Sequence, residues 1–284
     1  MKVNKGIILA GGTGRRLGPT TLAVNKQLLM LYDKPLIFYP LYVLMQANIK
    51  DILIIINPNQ KNNFKNILGN GSHLGIKINY IIQKKPSGIP EAFKIGKKFI
   101  NNSNVCLILG DNFFFHKKLD YKINSSTKFK GCKIFIKSIS EPEKYGVVKI
   151  KNKEILNIIE KPKKFVSNFA ITGLYFFDKN VVKLSYKLKP SKRGETEITD
   201  LIKIYRKKNK LDFSILSNNV IWSDVGTIND FNKISNFIKK NKKKSQIGCL
   251  EEIAFKKKWI NKKQIYKNIK FYGNCQYSEY LKKI

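Results

Sequence analysis

The chain places a glycine-rich loop directly after its first apolar run. Gly6-Ile7-Ile8-Leu9-Ala10 leads into Gly11-Gly12-Thr13-Gly14-Arg15-Arg16-Leu17. Glycines in that position let backbone N–H groups close on phosphate oxygens, and an arginine adds a charged fork. Leu9, Gly11, Gly12 and Arg16 are therefore candidates to line a phosphate-bearing ligand. Two better-known loops are excluded. A dinucleotide fingerprint counted from Gly12 needs a third glycine where Leu17 stands, and a Walker loop needs Gly-Lys-Ser/Thr, which is absent. A tight turn that binds nothing stays open. Only four arginines, Arg15, Arg16, Arg193 and Arg206, stand among 55 basic residues. Where lysine serves elsewhere, a retained arginine points to a need for the planar guanidinium fork that suits phosphate. Asp111 follows the apolar run Val105 to Leu109, at the carboxyl edge where open α/β sheets bind ligands; capping a following turn is the alternative. Gln83 closes another such run and can offer an amide donor and acceptor to a pyrimidine edge. Gly88, in Pro86-Ser87-Gly88, would let the backbone approach a base, although an ordinary strand end and turn read equally well. Glu160-Lys161-Pro162 is, taken alone, a charged strand end stopped by proline.

These residues need a scaffold that brings strand ends together, and the apolar periodicity supplies one. Gly6 to Ala10, Asp51 to Ile56, Lys77 to Gln83 and Val105 to Leu109 read as strands, the second apolar throughout as in parallel strands covered on both faces. Helical spacing runs from Pro35 to about Ile49, then from Gln60 to Leu68 with Gly69 closing it. A third helix runs from Pro90, well suited to a first helical position, to about Ile100. This alternation predicts an α/β fold with a Rossmann-like, doubly wound, mixed but mainly parallel sheet. The second half predicts strands over Cys132 to Ile139, Gly146 to Ile150, Glu154 to Ile159 and Phe169 to Phe177, with helices from Glu197 to Lys208 and Ile228 to Lys240. The lysine-rich stretch Lys239 to Lys244 reads as a linker. It divides an α/β domain over residues 1–240 from a small helical extension over 241–284.

Composition narrows the partners. The 284 residues suffice for one large domain with an appendage, and no apolar run approaches the ~20 residues that span a bilayer. The first apolar run is too short for a signal peptide and enters glycines at once, so a cytoplasmic protein without membrane partners is expected. Cys106, Cys132, Cys249 and Cys275 lie far apart, as incidental thiols in a reducing compartment do. The net charge of +36 fits either an anionic partner such as nucleic acid or compositional drift towards Lys, Asn and Ile. The lysines are spread over the whole chain, which favours drift and no nucleic-acid partner.

A set of motifs in chain order then resembles one family. Gly11-Gly12-x-Gly14-x-Arg16-Leu17 with Asn25-Lys26-Gln27-Leu28-Leu29 is similar to the pyrophosphorylase loop of sugar nucleotidyltransferases. Tyr32-Asp33-Lys34-Pro35, Leu109-Gly110-Asp111-Asn112, Glu143 to Val148, Glu160-Lys161-Pro162, Thr172-Gly173-Leu174-Tyr175, Arg193-Gly194-Glu195-x-Glu197-Ile198-Thr199-Asp200 and Trp222-x-Asp224-x-Gly226-Thr227 resemble its short-form glucose-1-phosphate thymidylyltransferase branch over nearly the whole chain. The resemblance implies dTTP and glucose 1-phosphate as substrates and dTDP-glucose as product, for dTDP-rhamnose biosynthesis. It implies Mg²⁺ held by Asp111 and Asp224, with Arg16, Lys26, Asp111 and Lys161 in catalysis. Leu9, Gly11, Gly12, Gln83 and Gly88 would bind the nucleotide; Tyr145, Gly146, Glu160, Lys161, Ile171, Tyr175 and Arg193 would bind the sugar phosphate. The family also implies a homo-oligomer, a dimer of dimers. For Asp224 alone, a loop hydrogen bond before Gly226 reads as well. The chain departs from the family pattern at Gly18, Leu22, Met30, Pro90 and Glu91. These positions keep two other readings in view: the same chemistry with UTP or CTP, and a non-catalytic nucleotide-binding homologue.

Overall fold

The computed structural model describes residues 3–12, 14–116, 123, 129–241 and 246–284. Its centre is a nine-stranded sheet in which β1 (Lys5–Ala10), β4 (Asp51–Ile56), β5 (Lys77–Ile82) and β6 (Val105–Leu109) run parallel in the order β6-β1-β4-β5. Two short hairpin strands, β2 (Met30–Leu31) and β3 (Lys34–Pro35), lie between β1 and β4 in sequence but outside this sheet. Ile52 to Ile56 are fully buried, because cores cover both faces of the sheet. The doubly wound, mainly parallel sheet implied by the strand–helix alternation is the one observed.

Topology fixes where a ligand goes. The chain builds outward from β1 through β4 to β5, then returns to lay β6 on the other flank of β1. Reversal of strand order leaves a crevice at the carboxyl ends of β1 and β6, the usual ligand position in open α/β sheets. Leu9 pairs with Leu109 there, and Gly110 donates its N–H to the Leu9 carbonyl at 2.9 Å. The glycine loop and Asp111 are thereby neighbours.

The second half extends the sheet in antiparallel fashion. After β7 (Phe113–Phe115) come β8 (Cys132–Ser138), β9 (Gly146–Lys151), β10 (Glu154–Glu160) and β11 (Phe169–Phe177). β11 pairs with β6, β8 and β9, and β12 (Leu211–Ile215) lies parallel to β8. β13 (Ile221–Ser223) pairs with β7 as a separate ribbon that carries Trp222 and Asp224 to the crevice. Neither β7 nor β13 was expected, since three-residue strands carry no periodicity.

Helix boundaries differ modestly from expectation. The helix expected over Pro35 to Ile49 forms over Phe38–Gln46, and the one expected from Pro90 to Ile100 breaks at Gly96 into Glu91–Ile95 and Lys97–Ile100. A β-carbon at Gly96 would stand 2.8 Å from the Ala92 carbonyl, so tight packing selects glycine at the break. The expected linker begins inside the helix Ile228–Asn241, which extends through Lys239 and Lys240; residues 242–245 lie outside the described residues. Three helices follow, Leu250–Lys256, Lys262–Tyr272 and Gln276–Leu281. Leu250, Ile253 and Ala254 are buried in the same core as the helix Phe38–Gln46.

Candidate functional site

The glycine-loop side of the crevice is built from backbone and close packing. Gln83 extends the β5 line, its N–H donating to the Ile56 carbonyl at 2.8 Å, and its buried amide lies on Gly11. A β-carbon there would meet Gln83 Oε1 at 2.3 Å, so only glycine admits the amide. Gly12 is exposed, and its carbonyl accepts from Asn57 Nδ2 at 3.1 Å. Asn25 stitches the next segment to the end of β1: its Oδ1 accepts from the Gln27 N–H at 2.9 Å, its Nδ2 donates to the Ala10 carbonyl at 3.5 Å, and a short 3₁₀ turn follows. That turn delivers Lys26.

Lys26 is 6% exposed and sits between two acids. Its ammonium donates to Asp111 Oδ2 at 2.8 Å and to the Asp224 carbonyl oxygen at 3.5 Å. Arg16, largely exposed, reaches Asp224 Oδ2 at 3.9 Å from the other side, its guanidinium packed over Gly226. Burial, and then the Asp111 carboxylate, raises the Asp224 carboxyl above its ordinary range, while Lys26, Arg16 and the Tyr145 hydroxyl bond pull it back. The two acids thus share one field. Asn112 bridges Asp111 to two distant strands: its Nδ2 donates to Asp111 Oδ1 at 3.0 Å, and its Oδ1 accepts from Trp222 Nε1 at 2.7 Å and the Gly173 N–H at 3.1 Å. Trp222 in turn packs on Tyr145, ring centroids 5.0 Å apart, and Tyr145 donates to Asp224 Oδ1 at 3.2 Å.

The opposite side is built from charged side chains. Gly146 pairs with Glu160 across β9 and β10, and the Lys161 N–H donates to the Tyr145 carbonyl at 3.0 Å. Lys161 turns there with φ of 41°, a strained conformation for a residue with a side chain. Burial, reinforced by the Glu197 carboxylate, raises Glu160; Lys161 and Arg193 oppose the shift. Arg193 lies 3.7 Å from Glu160 Oε1 and 3.4 Å from Glu197 Oε1. Ile171 is buried where the β11 register shifts. Tyr175 is also buried, its ring 6.2 Å from that of Phe177; burial, and then the Glu160 carboxylate, pushes its hydroxyl pKa up.

The pattern of the nucleotidyl transferase family matches residues 5–241. The chain belongs to the nucleotidyl transferase family. Its relatives include the glucose-1-phosphate thymidylyltransferase of Neisseria gonorrhoeae, 43% identical over 98% of both chains, and that of Mycobacterium tuberculosis, 37% identical over 98% of this chain and 97% of the relative. Among solved structures, a Bacillus anthracis chain described as a glucose-1-phosphate thymidylyltransferase superposes with a TM-score of 0.76 at 38% identity, covering 82% of this chain and 94% of that one. A UDP-glucose pyrophosphorylase complexed with UDP-glucose gives 0.74 at 25% identity, covering 84% and 99%.

This nucleotidyl transferase brings Leu9, Gly11, Gly12, Arg16, Lys26, Gln83, Asp111 and Asp224 to one crevice, with Tyr145, Gly146, Glu160, Lys161 and Arg193 on its opposite wall. Gly88 joins the two sides through Thr196: its φ is 107°, and a β-carbon on it would lie 2.0 Å from the Thr196 carbonyl oxygen. Asn112, Thr196 and Glu197 join the site without a role of their own in the sequence pattern. A polar residue after a strand-end acid was the only available signal for Asn112. Among the departures, Gly18, Leu22 and Met30 are exposed, Leu22 at 90%, whereas Pro90 is buried and the partly buried Glu91 pairs with Lys94 at 2.6 Å on its own helix.

Proposed function

We propose that the chain is a glucose-1-phosphate thymidylyltransferase, forming dTDP-glucose and pyrophosphate from dTTP and glucose 1-phosphate. The observation that carries this reading is the meeting of Lys26 and Arg16, from the glycine-loop side, with Asp111 and Asp224 at the switch point of the sheet. Both substrates are anions, so the site must first offset their repulsion. Arg16 and Lys26 would hold the triphosphate and the charge developing on the leaving pyrophosphate. Lys161 and Arg193 would neutralise the sugar phosphate, while Glu160 accepts hydrogen bonds from sugar hydroxyls. A phosphate oxygen of glucose 1-phosphate then attacks the α-phosphorus, and the bond to the β-phosphate oxygen breaks in line. Positioning and charge stabilisation supply the acceleration, and no protein nucleophile is required.

Asp111 and Asp224 fit a hard octahedral cation such as Mg²⁺. They are two partly buried carboxylates in one field, and a pair of carboxylates completed by phosphate oxygens and water suits such an ion. When bound, Mg²⁺ would neutralise charge on the nucleotide phosphates. A cytoplasmic enzyme serving dTDP-rhamnose formation, assembled as a dimer of dimers, accords with this reading; no helix among the described residues is long and apolar enough to cross a membrane. Tyr266 and Phe271, exposed on one C-terminal helix, offer apolar area for such assembly.

The test is pyrophosphate release with glucose 1-phosphate and, in turn, dTTP, UTP, CTP, ATP and GTP. Mg²⁺-dependent turnover led by dTTP and abolished in Asp111→Asn is expected. Leadership by UTP or CTP moves the base assignment alone, and nucleotide binding without turnover overturns the enzymatic reading.

A further inference from the structure

One residue joins the loop that carries Gly88 to the loop that carries Arg193. Thr196 is buried, and its N–H and its hydroxyl both donate to a single acceptor, the Ser87 carbonyl oxygen, at 2.9 and 3.0 Å. The backbones also touch, as the 2.0 Å approach of a β-carbon on Gly88 to the Thr196 carbonyl oxygen shows. Neither loop can shift without displacing the other. The path continues through the next residue. Glu197 Oε1 accepts from Ser191 Oγ at 2.8 Å and from Arg193 Nη1 at 3.4 Å, and the same Arg193 nitrogen lies 3.7 Å from Glu160 Oε1. The Ser191 carbonyl and N–H close this loop on itself, accepting from Gly194 at 2.9 Å and donating to the Glu195 carbonyl at 2.8 Å.

We propose that Thr196 is a positioning residue that couples the two substrate subsites. The inference rests on the reaction assigned above. A nucleotide base held against Gly88 fixes the Ser87 carbonyl, and through Thr196 it fixes Glu197, Arg193 and Glu160 in the arrangement that receives a sugar phosphate. Whichever substrate binds first orders a segment that the second would otherwise have to order itself, which appears as positive cooperativity between them. Linkage requires the effect to be the same in both directions. The joint uses one main-chain acceptor, the Ser87 carbonyl, and two donors of Thr196, its N–H and its hydroxyl, of which only the hydroxyl is a side-chain group. Removing the hydroxyl therefore weakens the joint without touching a group that meets either substrate.

The experiment is calorimetric titration, with Mg²⁺ present, of glucose 1-phosphate into protein alone and into protein saturated with α,β-methylene dTTP, which cannot react. The reverse order is measured as well. For the unaltered chain, each ligand should tighten the other by about fivefold or more, by equal factors. In Thr196→Val the factor should fall below about twofold, with each ligand alone bound within about twofold of the unaltered affinity. Thr196→Ser keeps the hydroxyl and should restore the factor. Thr196→Ala, which adds no bulk, must behave as Thr196→Val and serves in its place should valine not fold. A factor of one in the unaltered chain, or an unchanged factor in both hydroxyl-free variants, overturns the proposal. Failure to bind either ligand under any condition is a different result: it removes the assigned reaction, and the coupling with it.

Discussion

In the reading proposed above, one wall of the crevice would hold the nucleotide and the other the sugar phosphate, and the two walls are built by different means. On the nucleotide wall the chain uses main-chain groups, glycines under close packing and one buried ammonium; Gly11 lies under Gln83, and Lys26 is fixed between two acids. On the sugar-phosphate wall it uses exposed cations balanced by largely buried acids, with Arg193 shared between Glu160 and Glu197. Backbone and buried charge give geometry that tolerates little substitution. Exposed ion pairs give a field that salt and pH can tune. The first wall should therefore fail sharply when altered and the second gradually.

Lys26→Met is expected to show the sharpest failure. It removes the ammonium that faces Asp111 and the Asp224 carbonyl, so both carboxylates lose their nearest buried counter-charge, and kcat should fall by about 10²- to 10³-fold. Pyrophosphate release under saturating substrates measures this. A loss under tenfold would remove the contrast between the walls, because Lys26 would then act as one more solvated lysine.

Two glycines sharpen the comparison within the nucleotide wall. Gly88→Ala sets a β-carbon against the Thr196 carbonyl at a φ of 107°, and should cost about 2 kcal/mol of stability. Gly12→Ala meets nothing within 4 Å and should leave stability within about 0.5 kcal/mol. If Gly12 admits phosphate to the backbone, its alanine variant should nonetheless raise KM for dTTP. Chemical denaturation and steady-state kinetics separate the two effects.

A smaller effect is expected from pH, and it tests Glu160 of the other wall beside a buried acid of the C-terminal helices. Burial, then Glu197, raises Glu160 in the fold. Burial likewise raises Glu251, which accepts from Tyr272 at 2.9 Å and from Tyr277 in the C-terminal helices. A carboxyl with a raised folded pKa holds its proton longer in the fold than in the unfolded chain. Stability contributed by that proton is full below the unfolded value, about 4.3, and is lost as pH rises towards the folded value. Glu160→Gln and Glu251→Gln should each flatten the fall of unfolding free energy with rising pH above that point. Denaturant melts at stepped pH read the slope, and an unchanged slope in both variants would refute burial as the cause.

How much of this was legible follows from where each signal lies. β1, β4 and β6 stand out in sequence because strands buried on both faces leave unbroken apolar runs, and β11 stands out through a run from Phe169 to Phe177 that only Thr172 interrupts. The glycine loop and Asp111 follow such runs directly, so their positions at the sheet edge were readable. The β7–β13 ribbon was not, because each strand has three residues and pairs only with a distant segment. Nor was the joint at Thr196: its acceptor is a main-chain carbonyl, which any residue at position 87 supplies. Asn112 was visible as a residue but not as a bridge, since Gly173 and Trp222 reach it only after folding.

The smallest predicted effect concerns a residue that sequence alone makes suspicious. Glu91 stands beside the turn at Gly88, proposed to meet the base, where an acid cannot donate as an amide does, which would suggest an altered choice of base. In the fold its carboxylate pairs with Lys94 one helical turn on, at 2.6 Å, and its N–H donates to the Gly88 carbonyl at 3.3 Å. The backbone of Glu91 thus supports the turn while its charge is answered elsewhere. Glu91→Gln should change stability by only about 0.3 kcal/mol, the worth of one such helical pair, and leave the ratio of kcat/KM for dTTP over UTP within about twofold. A tenfold change in that ratio would mean that the carboxylate leaves Lys94 to meet the base. The nucleotide wall would then read its ligand through a mobile charge, and the contrast with the sugar-phosphate wall would lose its physical basis.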